Sequence, residues 1–520
     1  MVTGSIIYKD FFIPYPPGTF LFQEYLIKIF GTTLYPQIVY CCIISFFTYL
    51  LTYRILFFIN KDKLLNIFLA LPVAITGGYG IIMFPFYDPD CIFFILISIF
   101  FILYCYENSF SPVSTFFSGM LAVLPAFFKQ NIGLVYLFLV HAVLIIVYIF
   151  KRGEVKLNNY LIFLFGTILI SAVLLLYIQL TSGLGNYFYS TITIPREVRL
   201  PEPMKFLGFY LNLIVLRGVV CWLAVLIILK YINNIKNWVK LVLILLVVSP
   251  VYIIPFLRVI ISHKEYYDQF LAVWIISSVI TLIAGIYALI KLKNVSLFKR
   301  IFIFVILGLI NAAFLSQGYN SSTYGLWPML SIQFAMLFFI LASTKLEKYF
   351  STIKLLFITN SIGITISVIA LVLSNFHWHF TYTFNNEGEI RHSSTPSLKG
   401  LSMPGDYIPN LDNLIVFIKN EIPFDEDVIE LPPEDPLHFA TSKIPRFSLQ
   451  MSDWDLWLNS PEAILQKIKT EHIKWLIIKT QLQSGGTLNF ANLKNLISLL
   501  KKEFILYKTL PGYEIYHLPG

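Results

Sequence analysis

The chain has 520 residues, of which 57% are hydrophobic and only 13% are charged, and its mean hydropathy is +0.74. Soluble domains carry about a quarter charged residues, so this composition excludes an ordinary water-soluble protein for most of the chain. With 25 basic and 12 acidic residues, residues 1–375 carry a net charge of +13, whereas residues 376–520 carry −4. The basic excess lies mostly in short loops between apolar stretches, which favours membrane topology over nucleic-acid binding as its explanation.

Twelve apolar stretches approach or exceed the length of about 20 residues that a helix needs to cross a bilayer. They lie at 35–59, 64–84, 90–106, 113–128, 132–150, 159–180, 206–230, 238–259, 268–290, 301–316, 326–344 and 354–375. Residues 1–375 are therefore predicted to form an all-α, multi-span membrane domain of about twelve helices. The stretches 113–128 and 132–150 also fit a single broken pair.

Loop charge orients these spans, because Lys and Arg accumulate on the cytoplasmic side. If the N-terminus lies outside, the inner loops hold sixteen basic and four acidic residues, whereas the outer side before the tail holds eight of each. An even number of spans then places the tail outside as well. We therefore expect an inner-membrane protein whose C-terminal domain is extracytoplasmic.

Residues 376–520 are predicted to form that domain, a small α/β unit. Segment 385–409 is polar, contains Gly and Pro, and is typical of a linker. Helix-like and strand-like patterns then alternate. The predicted helices are Asn410–Glu421, Pro461–Glu471 and Leu493–Glu503, and the predicted strands are Asp427–Leu431, Ile473–Lys479, Phe504–Thr509 and Tyr513–Leu518, the last two joined by a turn at Pro511-Gly512.

Three aspartates stand nearest to the outer ends of the first spans. Asp10 lies in the N-terminal segment, and Asp88-Pro89-Asp90 places two carboxylates beside an apolar run. Paired carboxylates can bind a divalent cation or act as a general base. Any one of them alone is more often a solvated loop end, so Asp10, Asp88 and Asp90 are predicted as catalytic candidates as a set, and a metal requirement stays open.

The sequence Lys129-Gln130-Asn131 interrupts a long apolar region. Lysines near the bilayer are costly to bury and tend to be functional. Lys129 is therefore predicted to bind a phosphate, and Gln130 to belong to a substrate loop. A lysine that snorkels at a tight outer turn explains the pattern equally well.

Basic residues in the second half of the membrane domain are further candidates. Arg217 lies in mid-span, where its guanidinium either matches phosphate oxygens or pairs with a polar group on another helix. The other candidates stand in or near outer loops: Arg258, His263 and Lys264 for a donor phosphate, and Tyr267 and Tyr324 for a substrate loop. Such tyrosine-containing loops more often serve as interfacial anchors.

Several short stretches resemble bacterial membrane glycosyltransferases of the GT-C fold, the superfamily of the protein O-mannosyltransferases and the lipid A aminoarabinose transferase. The opening, Gly4 to Phe11 followed by Tyr15-Pro16-Pro17-Gly18-Thr19 and Gly31, resembles their recurrent first-loop pattern. Tyr87-Asp88-Pro89-Asp90 looks like their acidic loop, and Phe128 to Gly133 is similar to a Lys-Gln-Asn-x-Gly stretch. Many spans followed by a small outer α/β tail also fit.

This resemblance implies transfer of a sugar from a polyprenyl-phosphate donor to a glycan, lipid or protein acceptor at the outer membrane face. An outer-loop aspartate would act as base on the acceptor, and basic residues would hold the lipid phosphate. No nucleic-acid partner is expected. Two alternatives stay open: a transporter or flippase, for which inverted repeats would be expected and none is detectable, and a non-catalytic binder of lipid-linked glycans.

The chain departs from the resemblance at its start. Family members usually have a further span and an acidic motif before the glycine that corresponds to Gly4, and this sequence contains neither. The resemblance therefore predicts an N-terminal truncation, with the missing segment upstream of Met1. Without that segment, Asp10 or Asp88 would have to take the catalytic role.

Overall fold

The structure is a computed structural model. It describes residues 5–79, 85–199, 267–316, 326–343, 350–375, 388–433, 435–443, 459–482 and 490–519, together with a few isolated positions between 220 and 239. The predicted spans 206–230 and 238–259 therefore lie outside the described residues.

Helices occupy most of the described part of residues 1–375. Their bounds are α1 Gly18–Phe30, α2 Tyr35–Ile59, α3 Lys63–Thr76, α4 Tyr87–Glu107, α5 Pro112–Phe128, α6 Gln130–Phe150, α7 Leu157–Thr181, α8 Leu184–Phe188, α9 Ile194–Arg199, α10 Tyr267–Lys291, α11 Leu297–Ser316, α12 Trp327–Ala342 and α13 Phe350–Asn375. Among them, α2, α4, α6 and α7 are long and apolar enough to cross a membrane. This supports the predicted helical membrane protein.

The outer surface of the bundle is strongly apolar. On α7, Phe165 and Leu180 are 61% and 76% exposed, and most of the helix faces away from the protein. Exposed apolar patches of this extent are uncommon on soluble monomers. Lipid hydrocarbon is the solvent in which such a surface is stable.

Two predicted elements differ in the structure. The span predicted at 64–84 is a shorter helix, because α3 contains Pro72 and ends at Gly77, whose φ of 58° suits glycine. The interval between the predicted spans 159–180 and 206–230, which those bounds leave as a loop, is largely helical where it is described: α8 is followed by a π-helical turn at Tyr189–Thr193 and then by α9. Its polar composition concealed a short, folded helical segment.

Helices α5 and α7 approach each other so closely that glycine is required on both. A Cβ atom added at Gly119 would overlap the carbonyl oxygen of Phe163, and one added at Gly166 would overlap that of Phe116. Small residues of this kind let membrane helices pack backbone to backbone. The α5–α7 contact therefore depends on these two glycines.

Acidic residues hold loops and helix ends together at one end of the bundle. Asp62 caps α3 by accepting a hydrogen bond from the Leu65 backbone amide, and its carboxylate lies 2.5 Å from the Lys354 ammonium. The Glu154 carboxylate accepts hydrogen bonds from the first amides of α11, at Leu297 and Phe298, over 2.9 and 3.0 Å. Carboxylates at helix N-termini satisfy unpaired amides and complement the helix dipole.

The C-terminal region forms the predicted α/β domain. Its elements are β1 Ile390–His392, β2 Ser402–Pro404, α14 Tyr407–Glu421, β3 Val428–Leu431, α15 Leu437–Thr441, α16 Pro461–Thr470, β4 Trp475–Lys479, α17 Phe490–Glu503, β5 Ile505–Leu510 and β6 Tyr513–His517. The main sheet has the order β3-β4-β6-β5, with β3 and β4 parallel and the other pairs antiparallel. The hairpin predicted around Pro511-Gly512 is confirmed as β5–β6.

The sheet is covered on both faces, which explains why β4 is an almost continuous apolar run. On one face, Trp475 and Ile477 pack against Leu411 and other apolar residues of α14. On the opposite face, Leu476 and Ile478 join α16 and α17 in a second core. Successive side chains on a strand point to opposite faces, so both layers draw on the same short strand.

The segment 385–409, predicted as a linker, is folded in its described part. Strands β1 and β2 pair antiparallel, and the Asp412 carboxylate in α14 accepts hydrogen bonds from Ser393, Ser394 and Thr395 over 2.6 to 2.8 Å. Burial acts to raise the pKa of Asp412, but these donors outweigh it and hold that pKa below its ordinary value. The linker prediction was wrong because these Ser and Thr residues donate hydrogen bonds to a carboxylate of the domain instead of to water.

This segment also connects the C-terminal domain to the membrane helices. The Leu34 amide, just before α2, donates a hydrogen bond to the Ser397 carbonyl over 3.0 Å. Leu34 packs against the core beside α14. The C-terminal domain therefore contacts the end of the bundle where α2 begins.

A buried charge network lies inside the C-terminal domain. Lys479, the last residue of β4, places its ammonium 3.0 Å from Asp435 and 3.6 Å from Glu430, and all three side chains are buried. The hydroxyls of Tyr407 and Tyr513 donate to Asp435 over 2.8 and 2.6 Å. Burying charges is stable only when each is paired and hydrogen-bonded.

The two acids of this network have opposite pKa shifts. Burial raises the pKa of Glu430 well above its ordinary value, and the Asp435 charge adds to the rise. Burial also acts to raise the pKa of Asp435, but the Lys479 ammonium and the tyrosine hydroxyls hold it below its ordinary value. The Lys479 ammonium therefore pairs mainly with Asp435, while burial and the Asp435 charge disfavour the charged form of Glu430.

We expect Gly119→Ala to lower the melting temperature of the detergent-solubilised protein, because overpacking a tight contact costs about 1–3 kcal/mol. Gly185→Ala is the matched control, since a Cβ at that helical position meets no other atom within 4 Å. Equal melting temperatures for the two variants would contradict the close α5–α7 contact.

We expect Asp435→Asn to destabilise the protein by about 3–5 kcal/mol, because it leaves the Lys479 charge buried without its partner. Glu430→Gln should cost less than about 1 kcal/mol, since burial already disfavours a charge at this position and Gln is a neutral side chain of similar shape. Denaturant unfolding of the full chain, followed through the C-terminal tryptophans, measures both. Equal losses for the two variants would contradict this assignment of charge.

Candidate active site at one end of the helical bundle

A buried ion pair lies where α4 begins. The Lys129 ammonium donates to the Asp88 carboxylate over 2.5 Å, and the two side chains are only 5% and 3% exposed. Asp88 stands in the first turn of α4, where the helix dipole favours a negative charge. Two of the predicted site residues, distant in sequence, are therefore in direct contact.

Aromatic rings enclose this pair. The ring of Tyr15, from the N-terminal segment, stacks on that of Tyr87 with centroids 3.7 Å apart. The Lys129 ammonium lies 4.6 Å from the Tyr87 centroid and 5.9 Å from that of Tyr15. Ring faces attract cations, so the tyrosines stabilise the ammonium while they exclude water from it.

The local sequence explains how Lys129 reaches this position. Lys129 is the single extended residue between α5 and α6, with φ −145° and ψ 113°. The two helices fold back tightly on each other, since a Cβ added at Gly133 would overlap the Ala126 backbone. The stretches 113–128 and 132–150 are therefore two packed helices, and the break between them turns a lysine inward.

Gln130 connects two surface segments beside the pair. Its side-chain amide donates to the Pro14 carbonyl over 3.1 Å and to the Thr191 carbonyl over 2.7 Å. Pro14 precedes the Tyr15 ring, and Thr191 lies in the π-helical turn. Gln130 therefore holds the N-terminal segment and the helical segment after α7 against the Asp88–Lys129 pair.

Asp90 is fully buried but contacts a different set of residues. Its carboxylate accepts hydrogen bonds from Thr19 over 2.6 Å, from Tyr40 over 3.0 Å and from Tyr79. These donors come from α1, α2 and the turn after α3. Because residues two apart on a helix face different directions, Asp88 and Asp90 do not share one ligand position. Asp90 instead fixes these three elements around the first turn of α4.

The remaining predicted residues are not brought to this pair by the described structure. Asp10 is exposed, and its carboxylate accepts a hydrogen bond from the Ile6 amide over 2.6 Å, closing a turn of its own segment. Arg217, Arg258, His263, Lys264 and Tyr324 lie outside the described residues, as does the side chain of Tyr267, which begins α10. Within the described part, no three His, Cys, Asp or Glu side chains are grouped as metal ligands.

Four residues at this end of the bundle were not predicted from the sequence as site residues: Tyr15, Thr19, Tyr40 and Tyr79. Tyrosines near span ends are ordinarily interfacial anchors, so their presence carried little signal. The stronger signal was Asp90 itself, because a carboxylate inside an apolar helix requires donors from neighbouring helices.

The fold is similar to that of known structures. No protein-family model and no curated protein matches the sequence. The Archaeoglobus fulgidus oligosaccharyltransferase, crystallised with Zn and sulfate, aligns with a TM-score of 0.50 at 11% identity over 98% of this chain and 66% of that one. Its apo form aligns with a TM-score of 0.50 at 10% identity over 97% and 67%.

The chain thus spans about two thirds of the length of these structures. At such low identity the likeness concerns the fold alone. It supports the predicted GT-C-like fold, without assigning the chain to a family within it.

We expect Lys129→Met to destabilise the solubilised protein by about 3–5 kcal/mol, because Asp88 stays buried without its counter-charge. The double variant Asp88→Asn with Lys129→Met should recover most of this loss, since no buried charge is left. Thermal unfolding in detergent measures the recovery.

Lys28→Met is the matched control, because Lys28 forms a 2.6 Å ion pair with Glu24 but is half exposed. It should change the melting temperature little, as exposed pairs contribute little. A double variant no more stable than Lys129→Met would contradict the proposed energetics of the buried pair.

Proposed function

We propose that this protein is a membrane glycosyltransferase that moves a sugar from a polyprenyl-phosphate donor to an acceptor at the outer face of the membrane. The observation that carries this proposal is the buried Asp88–Lys129 pair at one end of the spans, in a fold like that of an oligosaccharyltransferase. A general base and a phosphate-binding cation are the two groups that such a transfer requires of the protein.

The two partners would separate when the donor binds. An ammonium has three hydrogen-bond donors, and among the described residues Asp88 is the single acceptor that Lys129 uses. A donor phosphate would take the remaining donors and draw Lys129 away from Asp88. The carboxylate would then be free to accept a proton.

In the proposed reaction, a nucleophilic atom of the acceptor attacks the anomeric carbon of the sugar. The bond between that carbon and the phosphate oxygen breaks, and polyprenyl phosphate leaves with both bonding electrons. The acceptor proton passes to Asp88, while the charge that develops on the phosphate is stabilised by Lys129. Gln130 and Asp90 act as positioning residues, because they hold the surrounding segments rather than the reacting groups.

The proposal includes the membrane topology that the sequence predicts. About twelve spans in residues 1–375, an N-terminus outside and an extracytoplasmic domain at 376–520 would set the site at the outer face. The contact between Leu34 and Ser397 supports a common side for the C-terminal domain and the site. The charge of the opposite loops supports that side as the outer one.

A non-catalytic binder of lipid-linked glycans is the second candidate. The enclosure of Asp88 by Lys129, Tyr15 and Tyr87 favours it, since a base must reach its substrate. The two candidates differ in one consequence. In a transferase both Asp88 and Lys129 are needed for turnover, whereas a binder needs Lys129 alone.

We expect Asp88→Asn to reduce transfer by about 10²- to 10⁴-fold, the range that general-base catalysis provides, while binding of polyprenyl phosphate stays near that of the unmodified protein. Lys129→Ala should weaken that binding as well as transfer. The assay uses a panel of short polyprenyl phosphates carrying radiolabelled hexoses, with membrane extracts as the acceptor source.

Asp10→Asn is the matched control, because that carboxylate only closes a surface turn in the structure. It should retain transfer within a few-fold, and a loss equal to that of Asp88→Asn would move the base to Asp10. If Lys129→Ala alone abolishes binding and no panel member supports transfer, the protein is a binder.

A further inference from the structure

A charged groove opens at the end of the bundle opposite the Asp88–Lys129 pair. It lies between the final turns of α2 and α4 and has a volume of about 320 Å³. Its walls combine three phenylalanines with charged and polar side chains: Phe57, Phe58, Phe100, Arg54, Lys61, Tyr104, Glu107 and Asn108. Because α4 has 21 residues, the groove lies about 30 Å from Asp88, at the other membrane boundary.

Arg54 makes this groove unusual. It stands five residues before the end of α2, in an apolar helix, and is exposed on the surface of the bundle. Within the described residues it makes no hydrogen bond and no ion pair. A guanidinium near the end of a membrane helix reaches the headgroup level, and a phosphate there matches its donors well.

Lys61 adds a second positive charge on the same wall. Its ammonium lies 3.6 Å from the Glu107 carboxylate and 4.7 Å from the Phe57 ring centroid. The Lys61 side chain is 65% exposed, so this ion pair is solvent-accessible and weak. The ammonium can therefore exchange Glu107 for an incoming anion at little loss.

The aromatic wall defines the other part of the ligand. Phe58 and Phe100 meet edge to face with centroids 5.6 Å apart. A headgroup between Arg54 and Lys61 would leave its acyl chains beside these rings. We infer that the groove binds the phosphate of an anionic membrane phospholipid, held by Arg54 and Lys61, with its acyl chains on the phenylalanines.

This site goes beyond the proposed transfer and does not depend on it. Basic pockets between membrane helices bind anionic headgroups at the cytoplasmic boundary, where Lys and Arg also accumulate. Since Arg54 and Lys61 lie in the part of the chain predicted to be inside, the lipid would occupy the inner leaflet. Such a lipid would fix the relative positions of α2 and α4, which carry Tyr40 and Asp88 at the distant end of the bundle.

The test measures lipid retained by the full-length protein in native mass spectrometry, titrated separately with phosphatidylglycerol and phosphatidylcholine. Arg54→Gln combined with Lys61→Gln should weaken phosphatidylglycerol binding at least tenfold. Arg152→Gln is the matched control, because Arg152 is also a basic residue near the end of a long apolar helix, 5.7 Å from the Tyr148 ring but outside the groove. It should bind phosphatidylglycerol as the unmodified protein does.

Glu107→Gln is expected to strengthen lipid binding, a result that misfolding of the variant would not produce. It removes the carboxylate that competes for Lys61, so phosphatidylglycerol should bind more tightly, by a few-fold. Equal binding of phosphatidylcholine, unchanged binding in the Arg54/Lys61 double variant, or displacement of the lipid by millimolar inorganic phosphate would each overturn the inference.

Discussion

The buried pair of Asp88 and Lys129 is the interaction on which this end of the molecule depends. Two opposite charges near the bilayer are stable because each neutralises the other and a tyrosine ring face attracts the ammonium, which together offset the loss of water around them. This requirement constrains the chain on both sides. The first turn of α4 must present Asp88, and the break between α5 and α6 must turn Lys129 inward. Tyr15, from a segment far away in sequence, must complete the enclosure.

Two further polar side chains beside the pair, Asp90 and Gln130, hold the surrounding elements in place. Asp90 collects hydroxyl donors from α1, α2 and the turn after α3, and thereby orients the helix that carries Asp88. Gln130 ties two surface segments to the same place. The pair, its aromatic cover and its supports thus form one connected polar region at the end of an otherwise apolar core. Ionisable groups inside a membrane domain are candidates for a functional site.

The C-terminal domain follows the same rule in water. Lys479 and Asp435 pair inside its core, and Glu430 lies beside them with its charged form disfavoured by burial. Asp412 organises a Ser- and Thr-rich segment that composition alone would assign to a linker. That segment contacts the start of α2, so the domain is joined to the bundle at the end that carries the Asp88–Lys129 pair.

The amino-acid sequence by itself indicated a helical membrane protein, most of the helices described within residues 1–375 and the alternation of helices and strands in the C-terminal domain. These follow from local hydrophobic periodicity and from Pro and Gly positions, which act over a few residues. The sequence also indicated Asp88, Asp90, Lys129 and Gln130 as site residues, because burying a polar side chain within an apolar stretch costs free energy in any fold. Only the tertiary structure decided that Asp88 pairs with Lys129 while Asp90 is held by tyrosines. Only the tertiary structure placed Arg54 in a groove that lies about 30 Å from Asp88. Asp88 and Lys129 are 41 positions apart in the sequence, and such a contact depends on how helices pack, which no local pattern encodes.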